Sequence, residues 1–293
     1  RNLFCWRRRI WVSVKKIFGR LTKNGDKNMK LAESNIEEYK HEGLTIPDYK
    51  LSEKVINQLS DDIGELVEAF PEIPSEYLVG PHIFNEKCPI DGLNSRFMDV
   101  CTNAEILDFV ESVIGPDIIL WSSGVFCKKP NVGLEVPWHQ DGHFWPIRPL
   151  ATCTVWIAVD DATKENGCMR YLPGSHKEKQ LFKHHYSDSK SLVLNQEILN
   201  SEIDELKVKD DLLERGQMSL HDVYLVHGSN RNQSDKRRAG YAIRYMPASS
   251  VFDRSIEVGQ SSSIGTSEFA NRPIWLVRGR DTSGKNNFQI GHL

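Results

Sequence analysis

The sequence has no run of apolar residues approaching the roughly 18 needed to cross a bilayer, so no membrane-spanning helix is predicted. It also has no C-x-x-C pair. Its six cysteines stand apart at positions 5, 88, 101, 127, 153 and 168, a spread that fits neither a zinc ribbon nor a compact disulfide scaffold. Reduced thiols in a cytoplasmic protein are expected instead. A strong excess of positive charge is missing as well. The net charge is −3 over 293 residues, which gives no ground for a nucleic-acid partner. Internal repeats and a clear linker are not found.

What is there begins with a charge asymmetry. Residues 1–30 hold ten Lys/Arg against the single acid Asp26, a balance of +9, which leaves −12 for the remainder of a chain totalling −3. In this head Leu3, Trp6, Ile10, Val14, Ile17 and Leu21 recur at spacings of three and four, so a helix there would be amphipathic and cationic. That pattern suits a membrane-surface helix or a transit peptide. The preferred reading sets residues 1–28 apart as a basic segment outside the mature protein, because the chain starts without Met and Met29 offers a start.

Beyond Met29 the patterning becomes regular. Leu51, Val55, Ile56, Leu59, Ile63, Leu66, Val67 and Phe70 trace one helical face ending at Pro71. Thr102 with Glu105 predicts a capping box for a second helix striped by Ile106, Phe109, Val110, Val113 and Ile114 and closed by Gly115-Pro116. After Pro116 short β-branched and aromatic runs follow one another at 118–127, 152–159, 168–172, 217–221, 241–245 and 274–277. Strands at this density, with helices gathered near the start, predict a mainly β jelly roll carrying helices on its outside. The polar stretch 178–213 reads as an excursion or lid between strands.

The residues with chemistry are fewer. His139-Gln140-Asp141 is an H-x-D tripeptide, and in an extended strand positions i and i+2 share a face. An imidazole and a carboxylate side by side supply two ligands of a 2-His-1-carboxylate metal site. His227, at the end of the apolar run 224–226, is the candidate third ligand. Arg238, eleven residues on, offers a guanidinium able to grip a carboxylate with two parallel hydrogen bonds. One face of that segment reads Arg238, Gly240, Ala242, Arg244, leaving space beside the cation; the other, Ala239, Tyr241, Ile243 and Tyr245, suits packing. Arg237 is the rival carboxylate binder, and by parity it belongs to the wrong face.

From Gly115 to Pro247 the ordered motifs resemble the phytanoyl-CoA dioxygenase family, nearest to its bacterial small-molecule hydroxylases. The resemblance is carried by His139-Gln140-Asp141 with Phe144-Trp145-Pro146-Ile147-Arg148-Pro149 and Trp156, by Asn166-Gly167-Cys168-Met169 leading to Pro173-Gly174-Ser175-His176, and by His227-Gly228-Ser229 with Arg238. It implies a double-stranded β-helix (jelly-roll, cupin-like) core and a single 2-oxoglutarate-dependent dioxygenase domain over residues 29–293. It makes His139, Asp141 and His227 the ligands of Fe(II), with Arg238 on the distal carboxylate of the cosubstrate 2-oxoglutarate, Ser229 assisting and Trp156 lining the pocket. O2 is the co-reactant. Related halogenases carry a small residue in place of the carboxylate ligand, so Asp141 implies hydroxylation.

His143, Trp145, Arg148 and Arg244 are the candidate substrate residues, with salt bridges to nearby acids as the competing role for the two arginines. A small polar metabolite, an aminophosphonate among them, is the expected substrate, and an acyl-CoA or carrier-bound molecule the alternative. A non-oxidative metal enzyme on the same barrel and a binding module without activity complete the rival readings. Neither nucleic acid nor membrane is expected to partner the core.

Overall fold

The computed structural model describes residues 29–86, 88–256 and 269–292; the cationic helix expected within residues 3–21 lies outside them. Four α-helices are described: Glu33–Glu42, Glu53–Ala69, Leu93–Cys101 and Ala104–Ile114. The strands are β1 (Leu44–Thr45), β2 (Leu78–Val79), β3 (Ile118–Lys128), β4 (Val136–His139) and β5 (Ile147–Arg148). They continue as β6 (Cys153–Ala158), β7 (Met169–Tyr171), β8 (His185–Tyr186), β9 (Gln196–Glu197) and β10 (Lys209–Asp211). Last come β11 (Met218–Asp222), β12 (His227–Ser229), β13 (Arg238–Pro247), β14 (Val251–Phe252) and β15 (Trp275–Arg278).

Two antiparallel sheets face each other as a jelly roll. The larger runs β1-β11-β6-β13-β3-β15, with β2 added to β3, and the smaller runs β10-β7-β12-β4. The larger sheet is buried on both sides, and the alternation of its strands separates two kinds of surface. Val155, Ile157, Leu220, Tyr241, Ile243 and Tyr245 point outward and pack with the helices. Thr154, Trp156, His221, Arg238, Ala242 and Arg244, from the alternate positions, line an inner cavity. In β3 a register shift opposite Arg244/Tyr245 turns both Trp121 and Ser122 toward that cavity, as a bulge does when it inserts one extra residue.

The helices exist to cover the outer face. Ile56, Leu59, Ile63 and Leu66 are the buried stripe of the helix Glu53–Ala69, and each such side chain contributes about 1.5–3 kcal/mol on burial. In proteins most helical stability comes from packing of such an apolar face, so this contact is what holds the helix in place. The helices Glu33–Glu42 and Leu93–Cys101 are additions to the sequence reading. β4 ends at His139, where the sequence reading has the strand run on through Asp141, and β13 begins three residues earlier than expected, placing Arg238 within the sheet.

The expected Thr102 capping box is corrected. Asn103 is the N-cap: its side-chain oxygen accepts from the backbone N–H of both Glu105 and Ile106. The Thr102 hydroxyl instead donates to Met98 O and so closes the preceding helix. The polar excursion 178–213 holds the β8–β9 hairpin, two 3-10 turns and β10. Its final strand thus belongs to the smaller sheet. We expect Asn103→Ala to lower unfolding free energy by about 1 kcal/mol and Thr102→Ala to cost less; denaturant unfolding of the two variants would show the reverse order if Thr102 were the cap.

Candidate active site

β4 and β12 lie side by side with His227 opposite His139, which brings two imidazoles from distant parts of the chain to a ring separation of 4.2 Å. β4 ends at His139. Gln140 is still extended (φ −118°, ψ 127°), and Asp141 opens a 3-10 turn, Asp141–Phe144. Asp141 is therefore presented by the turn that follows the strand, a correction to the picture of an H-x-D lying wholly within one strand. The middle residue clamps the junction: Gln140 Nε2 donates to Tyr224 O (2.7 Å) and Gln180 O (3.0 Å), and its Oε1 accepts from Phe182 N (2.6 Å).

The tautomers of both histidines are fixed by backbone carbonyls. His139 Nδ1 lies 2.8 Å from Pro137 O, and His227 Nδ1 lies 2.9 Å from Leu225 O. A carbonyl only accepts, so each Nδ1 carries the hydrogen and each Nε2 keeps a free lone pair. His139 Nε2 faces Asp141 Oδ1 at 3.7 Å, too far for a hydrogen bond. One donor atom from each of His139, Asp141 and His227 lies within 4.8 Å of the others, all three residues are buried, and together they could hold a metal ion.

Electrostatics favour the same state. Burial, reinforced by the neighbouring His139, holds His227 well below the ordinary histidine range and thus neutral. Burial works against the Asp141 carboxylate, yet the imidazoles of His139 and His221 beside it hold its pKa well below the usual range. Two imidazole nitrogens and one ionised oxygen are the donor set a divalent first-row metal takes.

The sequence reading missed the surroundings of Asp141. His221 Nε2 lies 3.6 Å from Asp141 Oδ2, and the Thr154 hydroxyl donates to the same oxygen at 3.5 Å. Both His221 ring nitrogens are buried without a hydrogen bond. A signal was available: in Met218-Ser219-Leu220-His221 the alternation puts His221 opposite the apolar face.

At the other end of the cavity Arg238 is buried, its guanidinium 5.4 Å from the Trp156 ring. Burial pushes its pKa down to about 10. The parity argument holds: Arg237 turns away to Asp160, with bonds of 2.8 and 2.9 Å. The space left by Gly240 is filled by Trp156, because a Cβ at 240 would lie 2.1 Å from that indole. Ser229 also lines this end. Behind it, and also missed, is Lys128, 1% exposed, whose amine donates to Ser229 Oγ (2.7 Å), Ser229 O (3.2 Å) and Asn230 O. Burial and the Arg238 charge push Lys128 down to about 6.

The candidate substrate residues divide. Trp145 and Arg244 line the cavity. His143 does not: the 3-10 turn swings its ring onto His184, 3.9 Å away and nearly parallel, and its Nε2 meets Gln196 Oε1. Nor does Arg148, which is exposed on the β5–β14 edge and donates to Ile147 O (2.7 Å) and Trp145 O (3.2 Å). Neither Arg148 nor Arg244 forms a salt bridge among the described residues. Val193, Leu194 and Asn195 bring the polar excursion to the cavity wall.

Comparison with known proteins agrees with this architecture. The profile described as phytanoyl-CoA dioxygenase (PhyH) matches residues 39–240, and the chain belongs to that family. Human peroxisomal phytanoyl-CoA dioxygenase is 30% identical over 203 residues, 63% of this chain and 60% of its own. The probable alpha-ketoglutarate-dependent hypophosphite dioxygenase of Stutzerimonas stutzeri is 31% identical over 172 residues, 57% of this chain and 56% of that protein. The apo structure of a non-heme monooxygenase, ThoJ, matches with a TM-score of 0.62 at 26% identity, covering 85% of each chain. The chain spans about three-fifths of the length of the curated relatives it matches. No described helix is long and apolar enough to cross a membrane.

Gly240→Ala should drive the Trp156 indole from its place beside Arg238, at a cost of about 1–3 kcal/mol for an overpacked site. Thermal unfolding checks the loss of stability; an unchanged midpoint would mean that the two residues do not touch.

Proposed function

We propose that the chain is an iron(II)- and 2-oxoglutarate-dependent dioxygenase that hydroxylates an unactivated C–H bond of a small polar metabolite. The observation that carries this reading is the donor set: two imidazoles with free Nε2 lone pairs around one ionised carboxylate. His139, Asp141 and His227 would hold the iron, leaving other coordination positions for cosubstrate and dioxygen. Iron(II) bound there supplies the dioxygen activation that couples decarboxylation of 2-oxoglutarate, to succinate and CO2, with hydroxylation of the substrate.

The remaining work falls to the chain's own residues. The carbonyls of Pro137 and Leu225 keep both imidazoles in the ligating tautomer. Thr154 and His221 hold the orientation of Asp141. Arg238 grips the distal carboxylate of 2-oxoglutarate, Ser229 adds its hydroxyl, and Trp156 walls the site beside the guanidinium. Lys128 sustains that end from behind by bonding Ser229. Val193, Leu194 and Asn195 close the wall and limit the entry of water.

The cavity volume, about 300 Å³, stands at the lower limit of small-molecule sites, about 300–1,000 Å³. It takes the cosubstrate and a small second molecule, which favours a compact metabolite such as an aminophosphonate over the body of a CoA thioester. The name of the Stutzerimonas relative gives hypophosphite, a small oxyanion, as what it acts on. The human relative's name favours the other reading, a CoA-borne substrate reaching in from outside. A cytoplasmic location, read from the scattered cysteines, belongs to the same proposal.

Succinate release from 2-oxoglutarate in the presence of iron(II) tests the assignment. His139→Ala or His227→Ala should abolish it, and wild-type turnover in either variant would reject the ligand set. Arg238→Ala should raise the 2-oxoglutarate requirement about 100-fold, on the order of 3 kcal/mol for an unpaired buried charge contact, with metal affinity kept. Arg237→Ala should leave that requirement near wild type; the opposite pattern would place the cosubstrate on the other face of β13.

A further inference from the structure

The cavity has a second cationic region that the cosubstrate's distal carboxylate does not use. Arg244 is 4% exposed and lines the cavity, yet it forms no hydrogen bond or ion pair with any described residue, and its Nε is buried without a partner. Two aromatic rings lie beside it, Trp145 at 5.3 Å and Phe126 at 5.8 Å, and its charge reaches the Asp141 carboxylate. Arg272 lines the same cavity, equally buried, with its guanidinium 4.8 Å from the Phe269 ring. The two cations are close enough to feel each other's charge. Among the described residues the one acid lining the cavity is Asp141, which serves the donor set.

Strand geometry separates this pair from Arg238. Six residues along β13 correspond to about 20 Å, and the cross-strand neighbours differ. Arg238 stands opposite Lys128 of β3. Arg244 stands opposite Ser122 of β3 and Thr154 of β6, and Thr154 is the residue that bonds Asp141. One cationic end therefore lies beside Trp156 and Ser229, and the other lies on the Asp141 side of the donor set. Burying the Arg244 guanidinium without a hydrogen-bonding partner among the described residues costs more than the aromatic faces beside it return. A planar fork of donors held in this way is suited to an oxyanion, which it can meet with two parallel bonds.

We propose that Arg244 and Arg272 form a second oxyanion-binding pole, which takes a carboxylate, phosphonate or phosphate group of the prime substrate and so presents the remainder of that molecule to the metal centre. This rests on the dioxygenase reading for what happens to the bound molecule, but not for the binding itself. The substrate is then a small anion, held at its charged end, with the C–H bond to be hydroxylated a short distance away. The same pole could be reached by the cosubstrate's other carboxylate, and the experiment separates the two sources.

Methylphosphonate is titrated calorimetrically into the full chain, alone and then with saturating 2-oxoglutarate. The expected result is one site per chain with 2-oxoglutarate saturating the Arg238 end, weakened at least tenfold by Arg244→Met and less by Arg244→Lys. Arg272→Met gives the same reading should Arg244→Met fail to fold. Absence of methylphosphonate binding, equal binding by the Met variants, or displacement by 2-oxoglutarate would each overturn the inference, the last by making the pole a second hand for the cosubstrate. Succinate release is measured separately. If it fails while methylphosphonate binds as expected, the dioxygenase reading falls and the anion pole stands; the reverse outcome removes the pole alone.

Discussion

The alternation of β13 is the constraint on which the rest depends. Successive side chains of a strand point to opposite faces, and this strand has no solvent face: Arg238–Met246 is buried throughout. Tyr241, Ile243 and Tyr245 enter the helix-covered core, while Arg238, Ala242 and Arg244 enter the cavity. A slip of one residue would exchange the two sets, burying guanidiniums among helices and lining the cavity with apolar side chains. The outer face resists that slip with specific bonds as well as packing. Tyr241 donates to Ser123 Oγ at 2.9 Å, and Tyr245 donates to Cys101 O at 2.8 Å.

With that register set, the smaller sheet completes the site. Its pairing of His227 with His139 depends on two strands of only four and three residues, Val136–His139 and His227–Ser229, both buried throughout. What keeps the imidazoles in place is the bonding around them: the carbonyls at Pro137 and Leu225, and Gln140 tied to the neighbouring loops. The resulting cavity is unusual in charge, with three buried arginines lining it against one carboxylate. With Arg238 and Arg244 on its walls the cavity is suited to anions at both ends, since buried cations are retained where a ligand neutralises them.

Much of this was legible in the sequence because period-two patterning is a local signal. Arg238 and Arg244 against Tyr241 and Tyr245 and the rejection of Arg237 follow from it, while the jelly roll is read from the density of short β-branched and aromatic runs after Pro116. His221 was equally legible by alternation, but its neighbourhood offers no motif to draw attention to it. Lys128 and Arg272 were not legible. Each depends on which distant strand or loop lies across from it, and a lone Lys or Arg in sequence is most often a solvated charge. Asn103 displaced Thr102 as the cap because one amide oxygen there accepts two backbone N–H groups, a choice between adjacent residues that propensity leaves open. His143 and Arg148 do not reach the cavity because a 3-10 turn swings the first onto His184 and Arg148 takes the exposed face of the edge strand β5.

The central claim is that the donor set and Arg238 act as one site. Anaerobic calorimetric titration of iron(II), followed by 2-oxoglutarate, tests it most directly. The account predicts one ion per chain, and 2-oxoglutarate binding that is markedly tighter once the metal is present, because the cosubstrate then bridges metal and Arg238. Metal binding that persists unchanged in a His139→Ala/His227→Ala double variant, or 2-oxoglutarate affinity indifferent to the metal, would contradict it.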